Sequence, residues 1–264
     1  MKITITVTTF NRAHTIEKCL DSVYEFFKLC DNKKIAYELL LIDDCSTDST
    51  ISKVTEILGT WDEKLSSHTK IFVNNVNYGV TYSKNRCYEE ASGNWVIFLD
   101  SDDFFLTEKM SDLVSEICVQ EVSDTSVIFF PVTISKDTFL GKMDHIAYLK
   151  NFRHIPESLP VLRNYGCSEK VFEPRTRGFE GLGYFAFIKK FGRLHISDKV
   201  VRHYDTIGTD RISSKTNTSR HSKHMFLGYK VFIQRHLSDL IRSKMILLFL
   251  GMMSYHFIGI LVRK

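Results

Sequence analysis

The 264-residue sequence predicts an α/β fold, a Rossmann-like, mostly parallel sheet flanked by helices, and three observations carry that expectation. Short apolar runs alternate with segments of helical spacing, the pattern of a doubly wound sheet. One of them, Trp95 to Leu99, is continuously apolar and rich in β-branched and aromatic residues, as in a strand covered on both faces. Polar clusters follow three of the runs, at the carboxyl strand ends where open α/β sheets bind ligands.

Ile3 to Thr9, rich in β-branched residues, reads as the first strand, and Ile16, Leu20, Val23 and Phe27 as the buried stripe of the helix after it. Glu38 to Asp43 gives a second strand, with a helix marked by Ile51, Val54 and Leu58. Lys70 to Asn74 gives a third, and Val80, Lys84, Cys87 and Ala91 mark the helix leading into a fourth at Trp95 to Leu99. Leu113 to Val122 reads as another helix and Ser126 to Ile134 as another strand. Neither a Gly-rich dinucleotide fingerprint nor a P-loop follows any of these strands, which removes the main support for either class.

With 44% hydrophobic residues the chain can bury a full core. Its six cysteines form no CxxC pair, and the strand pattern starts at the N-terminus without a leader, so a reduced, cytoplasmic protein is expected. The net charge of +4 is unevenly spread: residues 211–264 hold ten Lys or Arg against one acid, Asp239. A mildly acidic body, residues 1–215, is therefore expected to carry a basic tail, residues 216–264. Phe226, Tyr229, Ile233, Leu237, Leu240 and Ile241 fall at helical spacing, with Lys223, Lys230, Gln234, Ser238 and Arg242 largely opposite, the pattern of a membrane-surface helix. Met245 to Val262 follows, 18 residues without Asp, Glu, Lys or Arg, which just reaches spanning length. His256, Ser254 and two glycines favour an interfacial or re-entrant helix, with packing on the body or on a second copy as the alternative. An anionic membrane surface, and not nucleic acid, is the expected partner of this tail.

The polar clusters are Thr8 to Arg12, Asp43 to Asp48 and Asp100 to Asp103. In the last, Asp100, Asp102 and Asp103 crowd three carboxylates into four positions, and their repulsion must be offset by a cation or by donors. The countercharge is expected from outside the chain.

TVTTFNRAHTIEKCLDSV, ELLLIDDCSTDST and NYGVTYSKNRCYEEASGNWVIFLDSDD, in this order and spacing over about the first 105 residues, resemble the inverting family-two glycosyltransferases of GT-A fold, of the bacterial surface-polysaccharide type. The resemblance implies a GT-A catalytic domain over residues 1–215, with a nucleotide-sugar half at 1–105 and an acceptor half at 106–215, followed by a helical membrane-associating extension. It places Thr8 and Phe10 in a uracil pocket, Arg12 on the donor, Asp44 on the base, Asp100 on the ribose, and Asp102 on a Mn²⁺ or Mg²⁺ that bridges the donor phosphates. Hard oxygen ligands suit those cations. Phe10 as a core aromatic, and Asp44 and Asp103 as helix caps, remain alternatives. Ser83-Lys84-Asn85 stands where the family usually has Ala-Arg-Asn, so Lys84 takes the place of a nucleotide-contacting arginine without its planar fork.

Inverting transfer needs a base for the acceptor hydroxyl. The family places an acid at the start of an acceptor-side helix, and RGFEGLGYFAFIKKFG, residues 177–192, supplies Glu180. Gly181 stands where a second acid is usual; a plain capping role for Glu180 is the alternative, with Glu173 and Glu169 as substitute bases. VVRHYDTIGTDRISSK resembles a loop that closes over the diphosphate, which puts His203 on the metal, unless it is simply exposed, and Arg211 with Ser213 on phosphate. The function implied is hexosyl transfer from a nucleotide sugar, a UDP-sugar, to a lipid-linked glycan in O-antigen- or capsule-like synthesis, peripheral on the inner face of the cell membrane, with a homodimer left open. The rival readings are a nucleotidyltransferase, disfavoured because Thr8 to Arg12 has no glycine, and a non-catalytic sugar-nucleotide-binding module.

Overall fold

The computed structural model describes residues 1–166, 170–173, 176, 179–204 and 222–261. Strands β1 (Lys2–Thr9), β2 (Ala36–Asp43), β3 (Thr69–Val73) and β4 (Trp95–Asp100) alternate with helices α1 (Ile16–Lys33), α2 (Thr50–Gly59) and α4 (Val80–Glu90), as the sequence predicts, and a short α3 (Glu63–Ser66) that it does not predict precedes β3. The second half adds β5 (Phe104–Phe105), α5 (Met110–Gln120), β6 (Thr125–Pro131), β7 (Gly141–Met143), α6 (His145–Asn151), β8 (Ser158–Arg163), α7 (Glu180–Phe191), β9 (Arg193–Ile196) and β10 (Arg202–His203). The chain ends with α8 (Ser222–Arg242) and α9 (Ile246–Leu261). Strand β6 stops at Pro131, short of the expected Ile134; β7 and β9 are only three and four residues long, and β8 carries Pro160 inside its run, which masks its strand signal.

Eight strands form one mixed sheet in the order β3-β2-β1-β4-β8-β6-β9-β7, and β5 pairs with β10 in a separate antiparallel ribbon. β1 runs parallel to β2 on one side and to β4 on the other, with Thr9 opposite Asp43 and Thr8 opposite Asp100. The strand order reverses at this point, so the carboxyl ends of β1, β2 and β4 frame the crevice that the topology reserves for a ligand. Alternation within β1 decides its two faces: Ile3, Ile5 and Val7 enter the core with α1, α2 and α5, while Thr4 and Thr6 are buried on the other side. Thr6 Oγ1 donates to the Ile97 carbonyl at 3.0 Å, and Thr4 Oγ1 to Glu38 Oε1 at 2.7 Å. Glu38 also accepts from Ser92 N (2.7 Å) and Lys2 Nζ (3.1 Å); burial acts to raise its pKa, but these donors override it and hold the carboxyl down to about 2. The anchor ties β1, β2 and the turn before β4 together, which fixes the register of the three strands whose far ends make the crevice.

A second cluster on the opposite face takes side chains from α4, α6, α7 and both tail helices. α8 and α9 form an antiparallel hairpin, with Phe226 beside Phe257 (5.5 Å between centroids) and Tyr229 beside His256 (5.9 Å). Tyr229, Phe232, Leu240 and Phe249 are buried in the cluster. The single apolar stripe expected of α8 is not observed, because His236 (φ −128°, ψ 28°) interrupts the helix: Tyr229 and Leu240 point inward while Leu237 and Ile241 are exposed. α9 spans 16 residues. At 1.5 Å per residue that is about 24 Å, below the ~30 Å of a bilayer core. Among the described residues no helix is long and apolar enough to cross a membrane.

Candidate active site

The loops after β1 and β2 are knit to each other by their own polar side chains. Asn11 N donates to Ser46 Oγ (2.8 Å), Thr47 N to Asn11 Oδ1 (2.8 Å), and Ser46 N to the buried Asp43 Oδ2 (2.8 Å). Arg12 N donates to Thr50 Oγ1 (2.8 Å). Asn11 (φ 53°) and Cys45 (φ 67°) hold left-handed backbone, a strained geometry for side chains larger than glycine and one that gathers at ligand sites. The result is a rigid floor, with Thr8 partly buried at its edge and Phe10 standing 40% exposed above it, so Phe10 is not a core aromatic.

Asp44 is buried and shapes the wall. Its Oδ1 accepts from Asn74 Nδ2 (2.8 Å) and Tyr78 N (2.9 Å), its Oδ2 from Gly79 N (2.7 Å). Gly79 has φ 90°, a conformation that a side chain would strain, and it opens α4 directly after this turn. A carboxylate offers about four acceptor positions, and donors among the described residues take three, leaving one on Oδ2. Tyr78 and Tyr82 pack with tilted rings, 4.3 Å between centroids, on the outside of the same turn.

The countercharge for the acidic turn after β4 lies within the chain, contrary to the expectation from sequence. Lys84 Nζ, buried in α4, meets Asp100 Oδ1 at 2.9 Å. Arg202 of β10, also buried, pairs with Asp103, reaches Glu157 Oε1 at 3.1 Å and lies 3.9 Å from Asp100 Oδ2. Arg12 Nη2 stands 3.8 Å from Asp102 Oδ2. Burial acts to raise the Asp100 pKa, but Lys84, Arg202 and Arg12 outweigh it and hold the carboxyl below its ordinary range. Burial likewise opposes the charge on Lys84, which Asp100, Glu180 and Glu157 restore, so its pKa is raised. Asp103 is thus a buried ion-pair partner and not a helix cap, and Lys84 holds Asp100.

Asp100 and Asp102 are the part-exposed acids of the turn, their side chains 37% and 28% accessible, and the contact of Asp102 with Arg12 is long. Such a pair stabilises little, by about 0–1 kcal/mol, and yields readily to a harder cation. Among the described residues no three His, Cys, Asp or Glu side chains form a closed metal cluster. Mn²⁺ or Mg²⁺ bound through one or two carboxylates and substrate phosphates needs no such cluster, and Asp102 with the outer edge of Asp100 fits that donor set. His203 is brought beside the turn by the β5–β10 ribbon, where its exposed ring stacks on Phe104 at 4.5 Å.

Glu180 is the first residue of α7. Burial raises its pKa above the usual 4.5, Lys84 opposes that rise, and Asp100 and Glu157 add to it. Lys84 therefore pairs with Asp100 and lies within electrostatic range of Glu180, so one buried cation acts on both the acidic turn and the start of α7. Gly183, one turn along, lies so close to Phe172 that a Cβ would approach Cδ1 to 2.8 Å, which holds α7 against the loop carrying Val171 and Phe172. α4 grips that loop from the other side through Asn85 Nδ2 to the Phe172 carbonyl (2.9 Å) and Thr81 Oγ1 to the Thr176 carbonyl (2.9 Å). Glu173 pairs with Arg235 of α8. Glu169, Arg211 and Ser213 lie outside the described residues.

Arg202, Asn74 and Glu157 are the site residues that sequence reasoning missed. Arg202 adjoins the predicted His203 and follows the apolar pair Val200-Val201, a position where a buried guanidinium could have been sought as soon as three carboxylates required a countercharge.

Residues 4–175 match the model of the family described as Glycosyl transferase family 2. The chain is 25% identical over 240 residues to the GalNAc(5)-diNAcBac-PP-undecaprenol beta-1,3-glucosyltransferase of Campylobacter jejuni, covering 86% of this chain and 72% of that protein. Its fold is similar to Staphylococcus aureus TarS 1-349 in complex with UDP-GlcNAc (TM-score 0.62, 19% identity, 88% of this chain and 67% of that one). It is also similar to the mannosyltransferase PcManGT of Pyrobaculum calidifontis in complex with GDP-Man and Mn²⁺ (TM-score 0.64, 14% identity, 98% of this chain and 74% of that one).

Proposed function

The chain belongs to glycosyl transferase family 2, and on that premise we propose that it transfers a sugar from a UDP-sugar, with inversion, to a hydroxyl of a lipid-linked glycan, at the cytoplasmic face of a membrane. The observation that carries this reading is that buried Lys84 pairs with Asp100 of the acidic turn and lies within electrostatic range of Glu180 at the start of α7, because transfer requires donor and acceptor groups at one place. The similar Campylobacter jejuni glucosyltransferase is named for an undecaprenol-linked acceptor, which supports the acceptor class.

In this reading Phe10 offers an aromatic face to the pyrimidine, Thr8 lines the pocket floor, and the remaining Asp44 position accepts from the base. Arg12 and Lys84 place positive charge around the diphosphate, and Arg211 is assigned to the same role. Asp100 takes the ribose, while Asp102, with His203 beside the turn, holds the divalent ion. That ion, when bound, supplies positive charge to the departing diphosphate. Glu180 takes the acceptor proton; burial raises its pKa, which makes it a better base than an ordinary carboxylate.

The test is UDP release from UDP-glucose and UDP-N-acetylglucosamine with and without Mn²⁺, in the presence of an undecaprenyl-diphosphate-linked sugar. Release should require the metal and rise with acceptor, and Asp102→Asn should lower it about a hundredfold or more. Metal-independent UDP binding without turnover would favour a binding module, and pyrophosphate release from a nucleoside triphosphate would favour a nucleotidyltransferase.

The tail supports the membrane part of the reading. α9 exposes Leu247 (79%), Leu250, Tyr255 (71%), Ile258 and Leu261 along one face, and Lys223, Lys230, Arg235, Arg242 and Lys244 are exposed on or beside α8. An apolar stripe beside cations complements an anionic bilayer surface. Deleting the hairpin would strip Tyr229, Phe232 and Phe249 from the core, so point changes are the cleaner test. The triple variant Leu247→Ser, Tyr255→Ser and Ile258→Ser should float with anionic vesicles at least tenfold more weakly than the parent, given ~1.5–3 kcal/mol per fully buried large apolar side chain. Unchanged flotation, or a parent dimer that the variant converts to monomer, would remove the membrane from the account.

A further inference from the structure

The inner face of the tail hairpin is packed against the helix that carries the candidate base, and the two helices meet at successive points in ascending order. Phe179, the residue immediately before Glu180, is buried edge-on to Tyr229 of α8 (5.0 Å, 88°). Its ring lies directly on the α8 backbone: a Cβ at Gly228 would stand 2.7 Å from Phe179 Cγ and Cδ2. Two turns along α7, Phe185 packs on Phe232 (5.2 Å) and His236 (4.9 Å). Near its end, Lys189 Nζ meets Asp239 Oδ2 at 2.7 Å, which uses the single acid of the basic tail to fasten it to α7. α7 and α8 therefore run side by side in the same direction.

The first of these contacts differs in kind from the others. Phe185 and Lys189 hold the body of α7, but Phe179 is the N-cap residue, with non-helical φ −113° and ψ 10°, and its side chain sets how the chain enters the first turn. The carboxylate of Glu180 projects from that turn. On the far side Tyr148 of α6 donates to the Gly181 carbonyl, so the turn is gripped from two directions, and the α8 side depends on position 228 having no side chain. A Cβ there would have to push aside an aromatic ring already enclosed by Tyr229 and Phe232.

We propose that Gly228 is a seat for Phe179 that fixes the orientation of Glu180, making Gly228 and Phe179 positioning residues of the transfer reaction and the tail hairpin a working part of the active site. The inference deepens the proposed function and rests on Glu180 being the base.

The experiment uses the full chain, with UDP release from the faster of UDP-glucose and UDP-N-acetylglucosamine in the presence of Mn²⁺ and an undecaprenyl-diphosphate-linked sugar. Gly228→Ala should lower kcat about 10- to 100-fold, the scale of an ångström-sized misplacement of a reacting group. UDP affinity, measured by calorimetry with Mn²⁺, should stay within twofold. The acid limb of the pH–rate profile should move to lower pH, because a Glu180 carboxyl displaced towards water loses the burial that raises its pKa. Phe179→Leu introduced into Gly228→Ala makes room for the new methyl and should recover most of the loss. Phe179→Leu alone, which keeps the helix contact open if Gly228→Ala folds poorly, should lower kcat a few-fold with the same displacement of the limb.

A Gly228→Ala enzyme whose kcat tracks only its folded fraction, with the limb unmoved and no recovery in the double variant, overturns the seat. Glu180→Gln separates the two levels: an inactive Glu180→Gln beside an unaffected Gly228→Ala defeats this inference alone, whereas normal turnover of Glu180→Gln defeats the base assignment and this inference with it.

Discussion

Glu180→Gln is expected to cut turnover by about 10²- to 10⁴-fold, the range for loss of a positioned general base, while UDP binding in the presence of Mn²⁺ changes little. The amide keeps the size of the side chain and its place at the start of α7, so the change is confined to proton affinity. Lys84 makes this a demanding experiment. It is raised in pKa by Asp100 foremost and by Glu180 next, so removing the Glu180 charge leaves the stronger Asp100 contact at 2.9 Å in place. The donor side should therefore survive the substitution. The pH dependence gives a second reading of the same change. A base works in its ionised form, so the parent rate should climb with pH through a value above the ordinary 4.5 of a glutamate, and Glu180→Gln should lack that rise. Turnover near the parent level with the limb intact would pass the role to another group, Glu173 first; since Glu173 pairs with Arg235 of the tail, the base would then have to leave an ion pair before acting.

The parts of this molecule that were legible in the sequence are those with local signatures. β1, β2 and β4 are buried on both faces and appear as runs dominated by apolar and β-branched residues, whereas β3 is a largely exposed edge strand marked by Ile71, Phe72 and Val73; the ends of all four fall within two residues of expectation. The three polar clusters were found for the same reason, since each follows its strand directly. β9, Arg193 to Ile196, is four residues with a charge and a histidine among them, and its pairing with β6 comes from a segment 67 residues away in the Ser126–Arg193 contact. No window of sequence reports that. Arg202 was missed on the same ground: its partner Asp103 is 99 positions distant, and a lone arginine after two valines looks like any strand-end residue. The countercharge was consequently sought in a metal alone, whereas the fold already supplies Lys84, Arg202 and Arg12 to the three acids. In the tail, helical spacing located α8 but not its orientation, because the interruption at His236 changes which residues face the core, and His236 carries no residue-level mark of a kink such as proline.

The pairing of Arg202 with Asp103 leads to the largest stability effect expected in this protein. Arg202→Met should destabilise the fold by about 3–5 kcal/mol, because it leaves Asp103, 1% exposed, as a buried charge without its guanidinium. In a chain of this size each kcal/mol moves the midpoint by roughly 2–4 °C, so thermal unfolding should begin about 10 °C earlier. Adding Asp103→Asn removes the stranded charge, and the double variant should be more stable than Arg202→Met alone; additivity of the two single losses would mean that the residues do not act as a pair. Arg202→Lys distinguishes charge from shape. The guanidinium reaches Asp103 with one nitrogen and Glu157 with the other, at 3.1 Å, and lies 3.9 Å from Asp100, a fork that an ammonium cannot reproduce. Lysine should therefore recover part of the midpoint and little of the metal-dependent UDP release, since the turn carrying Asp102 would keep a countercharge and lose the geometry that sets where its carboxylates point. A Lys variant with parental release would show instead that the acidic turn needs only positive charge beneath it, and that its shape is set from the β4 side.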